Sequence, residues 1–388
     1  MGHLLTPLHW TGVLRHPRYS HQSPLLFRLY TAAVSSFALC FICSEAAALV
    51  HDDTGDMDVI ILLISTINTA SIWIIRMVHI AVFERDFHKL AVQVGHDFAE
   101  FLTWEDIPVM RAKSRRVRRF TLGVVWFGVS ACSYFLVSPV SPEGLPFILA
   151  LPFDATTPLG FAVSWLFCTI TCMHAVVMTM ALDSFNVSLI AQLRIQLTLL
   201  SNKIVSLARE MSQRPIYSPE TSSYHELHSR LEKCVRHHQT IIRNVDLLER
   251  RLGSILLAQS ISIGAVACFQ MFQIATSANG VQQVGKFGCY LTTMLTELFV
   301  YCWFGDDLIT ESEKLALAAY EALASLQGCP MPITRSLLLL MQRAQRPLCI
   351  TAGGFFPLSR ESYVAVLNVS YSFFAILRNF KEEEQQPD

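Results

Sequence analysis

Charged residues are scarce in this sequence. Asp, Glu, Lys and Arg make up 16% of its 388 residues, whereas soluble globular domains carry roughly 25%. The formal net charge is −1, and a protein that binds nucleic acid needs a strong basic surplus to contact phosphates. We therefore expect neither an ordinary soluble domain nor a partner of nucleic acid.

The sequence also lacks the usual motifs of enzymes and metal sites. It has no glycine-rich phosphate loop and no plausible catalytic triad, and no Cys-x-x-Cys pair is followed by a second one. Most of its 11 cysteines lie in apolar stretches, where they are expected to pack as small hydrophobes rather than form disulfides. We predict a protein that is not an enzyme and holds no cofactor and no metal.

Long apolar runs take the place of those motifs. A helix needs roughly 20 apolar residues to cross a hydrocarbon core about 30 Å thick. Six runs of this kind cover residues 27–50, 59–83, 120–140, 159–182, 252–276 and 284–304. A seventh is broken, with apolar residues 348–358, a polar patch at 359–362 and a short apolar piece at 363–377. The pattern predicts an all-α membrane protein with seven transmembrane helices.

The loops between these runs predict an orientation. Residues 51–56, 141–158 and 277–283 contain no Lys or Arg, whereas residues 85–119, 183–251 and 305–347 contain several each. Cytoplasmic loops carry the excess of Lys and Arg. The alternation therefore predicts a cytoplasmic N-terminus and an extracellular C-terminus, opposite to a G-protein-coupled receptor.

The long loop at 183–251 has helical periodicity. Apolar residues recur at helical spacing on both sides of a break at Pro215 and Pro219. The first set is Leu193, Leu197, Leu200, Ile204 and Leu207, and the second is Leu227, Leu231, Val235, Ile242, Val245 and Leu248. We interpret both as cytoplasmic extensions of the fourth and fifth spans, which together form a helical body below the membrane.

Several linked motifs near the C-terminus resemble the insect odorant receptor family. They are Tyr-Cys-Trp-Phe-Gly at 301–305, Glu-Ser-Glu at 311–313, Ala-Ala-Tyr at 318–320, Gln-Arg-Ala-Gln-Arg-Pro-Leu at 342–348, Thr-Ala-Gly-Gly-Phe-Phe-Pro-Leu at 351–358 and Ser-Tyr-Ser-Phe-Phe-Ala-Ile-Leu-Arg at 370–378. The first 280 residues or so match the family only in span pattern and in an outer-loop run at 145–153. The chain departs from the family at 321–326, which lacks the usual Trp.

The resemblance implies a subunit of a tetrameric, non-selective cation channel whose last helix lines the pore. The second inner loop is much shorter than that of the shared co-receptor, so the chain resembles a ligand-tuned subunit that assembles with the co-receptor. The family further implies the plasma membrane of olfactory neuron dendrites, contact with membrane lipid, and monovalent and divalent cations as permeants. A gustatory receptor channel is the alternative. A G-protein-coupled receptor fits less well, because its orientation and its motifs in spans three and seven are missing.

The resemblance also divides the chain into three functional segments. Residues 1–303 would form the ligand-binding bundle with its cytoplasmic extensions, and residues 304–347 the anchor that contacts other subunits. Residues 348–388 would contain the pore-lining helix and the extracellular tail.

One stripe of the last span fits a pore. Asn368, Ser372, Ile376 and Phe380 recur every four residues and change from polar to large and apolar. A ring of Ile376 and Phe380 would close a pore by dewetting, while the polar residues would replace part of an ion's hydration. On spacing alone, the same stripe also fits an ordinary amphipathic helix packed on its neighbours. The acidic run at 382–384 is interpreted as a solvated tail.

The ligand site is expected in the outer halves of spans two to six. These hold almost no ionisable groups, and burying an unpaired charge costs several kcal/mol, so the ligand should be small and neutral. The resemblance implies that it is a volatile odorant. Candidate contacts recur on one face of each span: Ile60, Ile64, Ile67, Phe127, Ser130, Tyr134, Cys168, Cys172, Phe269, Phe272, Tyr290 and Thr293. Each of them alone is more often a core-packing residue than a ligand contact, and only their convergence from several spans favours a site.

Two charges lie inside predicted spans. Arg76 falls in the inner half of span two and Glu297 near the middle of span six. Charges within a membrane are usually paired or face water, so each is expected to have a polar partner, one candidate being the other. Arg76 also fits snorkelling of its side chain to the inner headgroups.

Overall fold

The computed structural model describes residues 9, 11, 24–51, 56–141, 144–213, 222–277, 280–325 and 331–384. The described chain is nearly all helical. Its helices are α1 (Pro24–Val50), α2 (Met57–Val82), α3 (Glu84–His96), α4 (Asp106–Val137), α5 (Pro158–Gln213), α6 (Ser222–Thr276), α7 (Val281–Ser325), α8 (Met331–Ala344) and α9 (Arg360–Glu384). A 3₁₀ turn (Ala99–Phe101) follows α3, and strands β1 (Thr351–Ala352) and β2 (Phe356–Pro357) form a small antiparallel hairpin.

Five of these helices are long and apolar enough to cross a membrane. They contain the stretches Leu25–Val50, Met57–Val82, Asp106–Val137, Pro158–Glu210 and Tyr224–Thr276. α7, with 45 residues, and α9, with 25, also have the length to span but are not among these five. The prediction of an all-helical, multi-pass membrane protein is confirmed.

α5 and α6 are too long for the membrane alone. With 56 residues, α5 is ~84 Å long, more than twice a bilayer's hydrocarbon thickness. α6 has 55 residues. Their described parts include residues 183–213 and 222–251, so the prediction that the long loop continues the two spans as helices is confirmed there. The break at Pro215 and Pro219 lies outside the described residues.

The largest hydrophobic core lies where these extensions meet α7 and α8. The periodic residues of α5 from Leu193 to Leu207 are no more than 3% exposed, and Leu231, Val245 and Leu248 of α6 are no more than 1% exposed. They pack with apolar side chains of α7 and α8 in one continuous cluster. The apolar periodicity therefore buries a helical body outside the spans. α7 passes without interruption through residues 303 and 304, where the predicted segments meet.

The last span differs from the prediction. Residues 348–358 do not form half of a broken helix, because β1 and β2 pair there, with Thr351 opposite Pro357. Gly353 and Gly354 at the turn have φ of 60° and 80°, a left-handed conformation that favours glycine. α9 then begins at Arg360, and the hydroxyl of Ser359 accepts a hydrogen bond from the Ser362 amide at 3.1 Å. The polar patch thus begins one continuous helix instead of interrupting it.

Candidate ligand cavity and pore helix

A cavity lies between α1, α2, α4, α5, α6 and α7. Its volume is about 160 Å³, and its walls are mostly apolar. Phe41, Trp73, Phe135 and Phe147 provide aromatic surface, and Ile263 an aliphatic one. Concave, mostly apolar sites with a few polar groups are typical of small-molecule binding.

The cavity contains three of the twelve predicted contacts. Cys172, Tyr290 and Thr293 line it. The other nine do not: Ile60, Ile64, Ile67, Phe127, Ser130, Tyr134, Cys168, Phe269 and Phe272. Cys168 and Phe272 are fully buried, whereas Phe127 and Tyr134 are 38% and 41% exposed.

On α4 the predicted stripe is one position away from the cavity face. Gly128, Ala131, Cys132 and Phe135 line the cavity instead of the stripe that contains Phe127. Successive helix residues differ by 100° in direction, so neighbouring stripes face different surroundings. Both stripes are mostly apolar, and periodicity alone does not distinguish the stripe that faces the protein from the one that faces outward.

Hydroxyl groups provide the uncharged polar part of the cavity wall. The Thr69 and Tyr290 hydroxyls are hydrogen-bonded to each other, which joins α2 to α7. Thr293 lies one turn further along α7 and donates to the Cys289 carbonyl at 2.8 Å. These groups can orient a bound molecule without adding charge to the site.

A charged network forms one end of the cavity. An Arg76 nitrogen lies 2.6 Å from a Glu297 carboxylate oxygen, and Arg76 also pairs with Asp183. Gln259 donates to Glu297 at 2.6 Å, and Tyr301 donates to Asp183 at 2.7 Å. The network therefore connects α2, α5, α6 and α7.

This network confirms that Arg76 and Glu297 are partners. Arg76 is only 2% exposed, so its side chain does not snorkel to the membrane surface. Sequence reasoning missed Asp183 because this residue stands at the boundary between the fourth span and the following loop.

Lys286 is buried more deeply than its place near the end of a span indicates. Its ammonium group donates to the carbonyl oxygens of Ser138 at 2.6 Å and Pro146 at 3.1 Å. It also lies 3.9 Å from the centre of the Phe135 ring. Phe135 and Phe147 both line the cavity, so the hydrogen bonds of Lys286 hold the loop after α4 next to the cavity.

The predicted pore stripe is exposed on the surface of the single chain. Ile376 and Phe380 are 49% and 59% exposed, and Asn368 and Ser372 are exposed as well. The other side of α9 packs on α6, where the Ser370 hydroxyl donates to the Gly264 carbonyl at 2.9 Å. In the acidic run after the stripe, Glu382 pairs with Arg378 at the surface.

Two histidines of the helical body, His237 and His238, are core residues. His237 lies 3.0 Å from Gln196 and stacks on Phe101, with 4.7 Å between ring centres. Burial lowers the pKa of His237 to about 3 and that of His238 to about 4, so both are neutral at physiological pH. Within the described residues, no group of three or more His, Cys, Asp or Glu side chains is placed to hold a metal ion.

The fold and cavity define the class as a multi-pass helical membrane protein with a mostly apolar cavity between its helices. A family model described as 7tm Odorant receptor matches residues 56–371. Odorant receptor Or2 of Anopheles gambiae is 25% identical over 309 residues, covering 79% of this chain and 80% of that protein. Odorant receptor 13a of Drosophila melanogaster is 31% identical over 170 residues, 41% of each chain.

The fold agrees with solved structures of insect olfactory receptor OR5 from Machilis hrabei. The structure in complex with eugenol gives a TM-score of 0.80 at 15% identity and covers 97% of both chains. The structure without a named ligand gives 0.82 and covers 97% of this chain and 96% of that one. The chain belongs to the insect odorant receptor family. Members of this family are ligand-binding subunits of odorant-gated channels and are not enzymes.

Proposed function

We propose that this chain is the odorant-binding subunit of a non-selective cation channel that it forms as a heterotetramer with the odorant receptor co-receptor. It resides in the plasma membrane of olfactory neuron dendrites, with its N-terminus in the cytoplasm and its C-terminus outside. The observation that carries the proposal is the mostly apolar cavity between the spans. Family membership and the Lys and Arg distribution support the assembly and the orientation.

The ligand is a small neutral volatile. Apolar walls favour an uncharged molecule, because desolvating a charge without a partner costs several kcal/mol. Arg76 and Glu297 reach the cavity but already pair with each other. The Tyr290 hydroxyl is hydrogen-bonded to Thr69, but a hydroxyl oxygen has two acceptor lone pairs, so it can still accept a hydrogen bond from one polar group of the ligand.

Two helices connect the cavity to the pore helix. On α6, Ser262 lines the cavity, and Gly264, two residues later, accepts the hydrogen bond from Ser370 of α9. On α7, Tyr290 lines the cavity, and a side chain at Gly305 would overlap Leu358, which precedes α9. A shift of either helix on ligand binding would therefore move α9.

The gate lies on the exposed stripe of α9. Ile376 and Phe380 from the four subunits close the pore by dewetting, and Asn368 and Ser372 replace part of the hydration of a passing cation. Their exposure in the single chain leaves them free to face neighbouring subunits or a pore.

The proposal is tested by recording membrane current from cells that express this chain with and without the co-receptor. Neutral volatiles are applied while G-protein signalling is blocked. A fast cation current that needs both chains and survives the block supports the proposal. Current from this chain alone in response to tastants would indicate a gustatory channel. A response abolished by the block would contradict the proposed orientation and gating.

The cavity itself is tested with Tyr290→Phe. Losing one hydrogen bond to the ligand costs about 0.5–1.5 kcal/mol, which raises the half-maximal ligand concentration by about 2- to 13-fold. Tyr134→Phe is the matched control, because Tyr134 is exposed and does not line the cavity. An equal shift in both variants, or a shift only in the control, would contradict the assignment of the cavity.

A further inference from the structure

Two cysteines meet in the wall of the cavity. Cys132 on α4 and Cys172 on α5 are both free thiols, and their sulfur atoms are 3.3 Å apart. Both side chains line the cavity. They are 40 residues apart in sequence, so the packing of two different helices brings them together.

This arrangement differs from that of a buried structural cysteine. Cys168 lies one helical turn before Cys172, is 0% exposed and does not line the cavity. The pair, in contrast, is open to any molecule that enters the cavity. The contact between the two sulfurs is a hydrogen bond in which one thiol donates to the other, and such donation stabilises negative charge on the accepting sulfur. The thiolate is the form of cysteine that attacks a disulfide.

The distance between the sulfurs is short enough for a covalent bond to form after a small movement. A disulfide has an S–S length of about 2.05 Å, so the atoms must approach by about 1.3 Å from their separation of 3.3 Å. Rotation of the two side chains about their Cα–Cβ bonds moves the sulfurs on this scale.

We propose that Cys132 and Cys172 form a redox-active dithiol that reacts with small apolar organic disulfides entering the cavity. One cysteine thiolate attacks the reagent and forms a mixed disulfide, and the first organic thiol leaves. The second cysteine then attacks the protein sulfur of that mixed disulfide, and the second organic thiol leaves. The protein is oxidised by two electrons and loses two hydrogen atoms, which the two departing thiols carry. The product is a disulfide that joins α4 to α5.

This chemistry regulates the cavity. The bond fixes α4 against α5 and removes two thiol groups from the wall, so a ligand that fits the reduced cavity binds the oxidised one less well. A reducing thiol reverses the change. The formation of the disulfide does not depend on the proposed function, but its effect on the response to ligand rests on that function.

The chemical step is tested on the full-length chain, assembled with the co-receptor in membranes, by treatment with dithiodipyridine. We expect mass spectrometry to find one peptide pair linked through Cys132 and Cys172, with a loss of two hydrogen atoms and release of two thiopyridone molecules. Cys132→Ser and Cys172→Ser each leave a single mixed disulfide on the remaining partner. Cys168→Ser, the matched control, retains the linked pair.

The exposed residues Cys40 and Cys43 show whether the reagent has reached the protein. The proposal is overturned if Cys40 and Cys43 carry mixed disulfides while Cys132 and Cys172 are unmodified. It is also overturned if Cys132 and Cys172 each carry a separate adduct instead of forming a bond with each other. Reaction of Cys40 and Cys43 together with the linked pair supports it.

The regulatory step is tested by ligand-evoked current before oxidation, after it, and after reduction. We expect the half-maximal concentration to rise about tenfold on oxidation, equivalent to 1.4 kcal/mol, and to recover on reduction. In the double variant Cys132→Ser with Cys172→Ser, which has no thiol of the pair left to react, oxidation should leave the half-maximal concentration where it was before treatment. A linked disulfide with unaltered current would overturn the regulatory step alone. A linked disulfide in a chain that gives no ligand-evoked current at all would overturn the proposed function and leave the dithiol chemistry standing.

Discussion

Replacing Arg76 with methionine removes the positive charge that two buried carboxylates share. Arg76 pairs with Glu297 and with Asp183, and the side chains of the three residues are 3%, 5% and 12% exposed. In Arg76→Met these carboxylates lose their counter-charge in an apolar environment. Removing one partner of a buried ion pair costs about 3–5 kcal/mol.

The expected result is a fall of several degrees in the Tm of the purified chain, and low surface expression. Thermal unfolding followed by size-exclusion chromatography measures the first, and surface labelling the second. Arg378→Met is the matched control, because Arg378 and Glu382 lie 2.7 Å apart but have side chains 58% and 59% exposed. An exposed pair contributes no more than about 1 kcal/mol.

A variant with restored charge balance distinguishes the stability lost through unpaired charges from the stability lost through packing. Asp183→Asn with Glu297→Gln, added to Arg76→Met, removes both carboxylate charges and keeps the side-chain sizes similar. We expect this triple variant to recover part of the lost stability. Equal stability of Arg76→Met and Arg378→Met, or no recovery in the triple variant, would refute the reasoning.

Two further predictions concern the loop after α4 and the proposed gate. Lys286→Met leaves the carbonyl groups of Ser138 and Pro146 without their donor, at a cost of about 1–3 kcal/mol. Limited proteolysis should therefore cut the loop after α4 faster than in the unaltered chain. An unchanged cleavage rate would contradict the role of Lys286. Ile376→Asn makes the proposed hydrophobic ring wettable and should raise the resting current without ligand. Val369→Asn should not raise it, because Val369 is exposed on the same helix but lies outside the stripe. Equal resting currents in the two variants would count against the gate.

The sequence predicts helices better than it predicts which helix face lines the cavity. Leu193, Leu197 and Leu200 recur at helical spacing in a polar loop, so one face stands out, and the structure buries it. In a membrane span nearly every residue is apolar, and hydrophobicity does not separate the protein-facing side from the lipid-facing side. Phe127 was therefore predicted in place of its neighbour Gly128.

The pairing of charged residues inside spans is predictable, because burying a charge without a partner costs free energy. Arg76 and Glu297 stood out in sequence, and they meet in the structure. The third member of the network, Asp183, did not stand out, because a carboxylate at the end of a span also fits a solvated loop. Residues 348–358 were predicted as helix from their apolar composition, although the two adjacent glycines favour the turn that is observed there.

The position of the charged network supports the proposed coupling between the ligand cavity and α9. Glu297 lies on α7 between Tyr290, which lines the cavity, and Gly305, whose lack of a side chain admits Leu358. Since α7 is one uninterrupted helix, displacement at Tyr290 would be transmitted along it, provided that the helix moves as a unit. Arg76 ties that helix to α2, and Gln259 ties it to α6, the helix on which α9 packs. Under the proposed gating, a ligand that shifts α7 would therefore also shift the surface on which α9 packs.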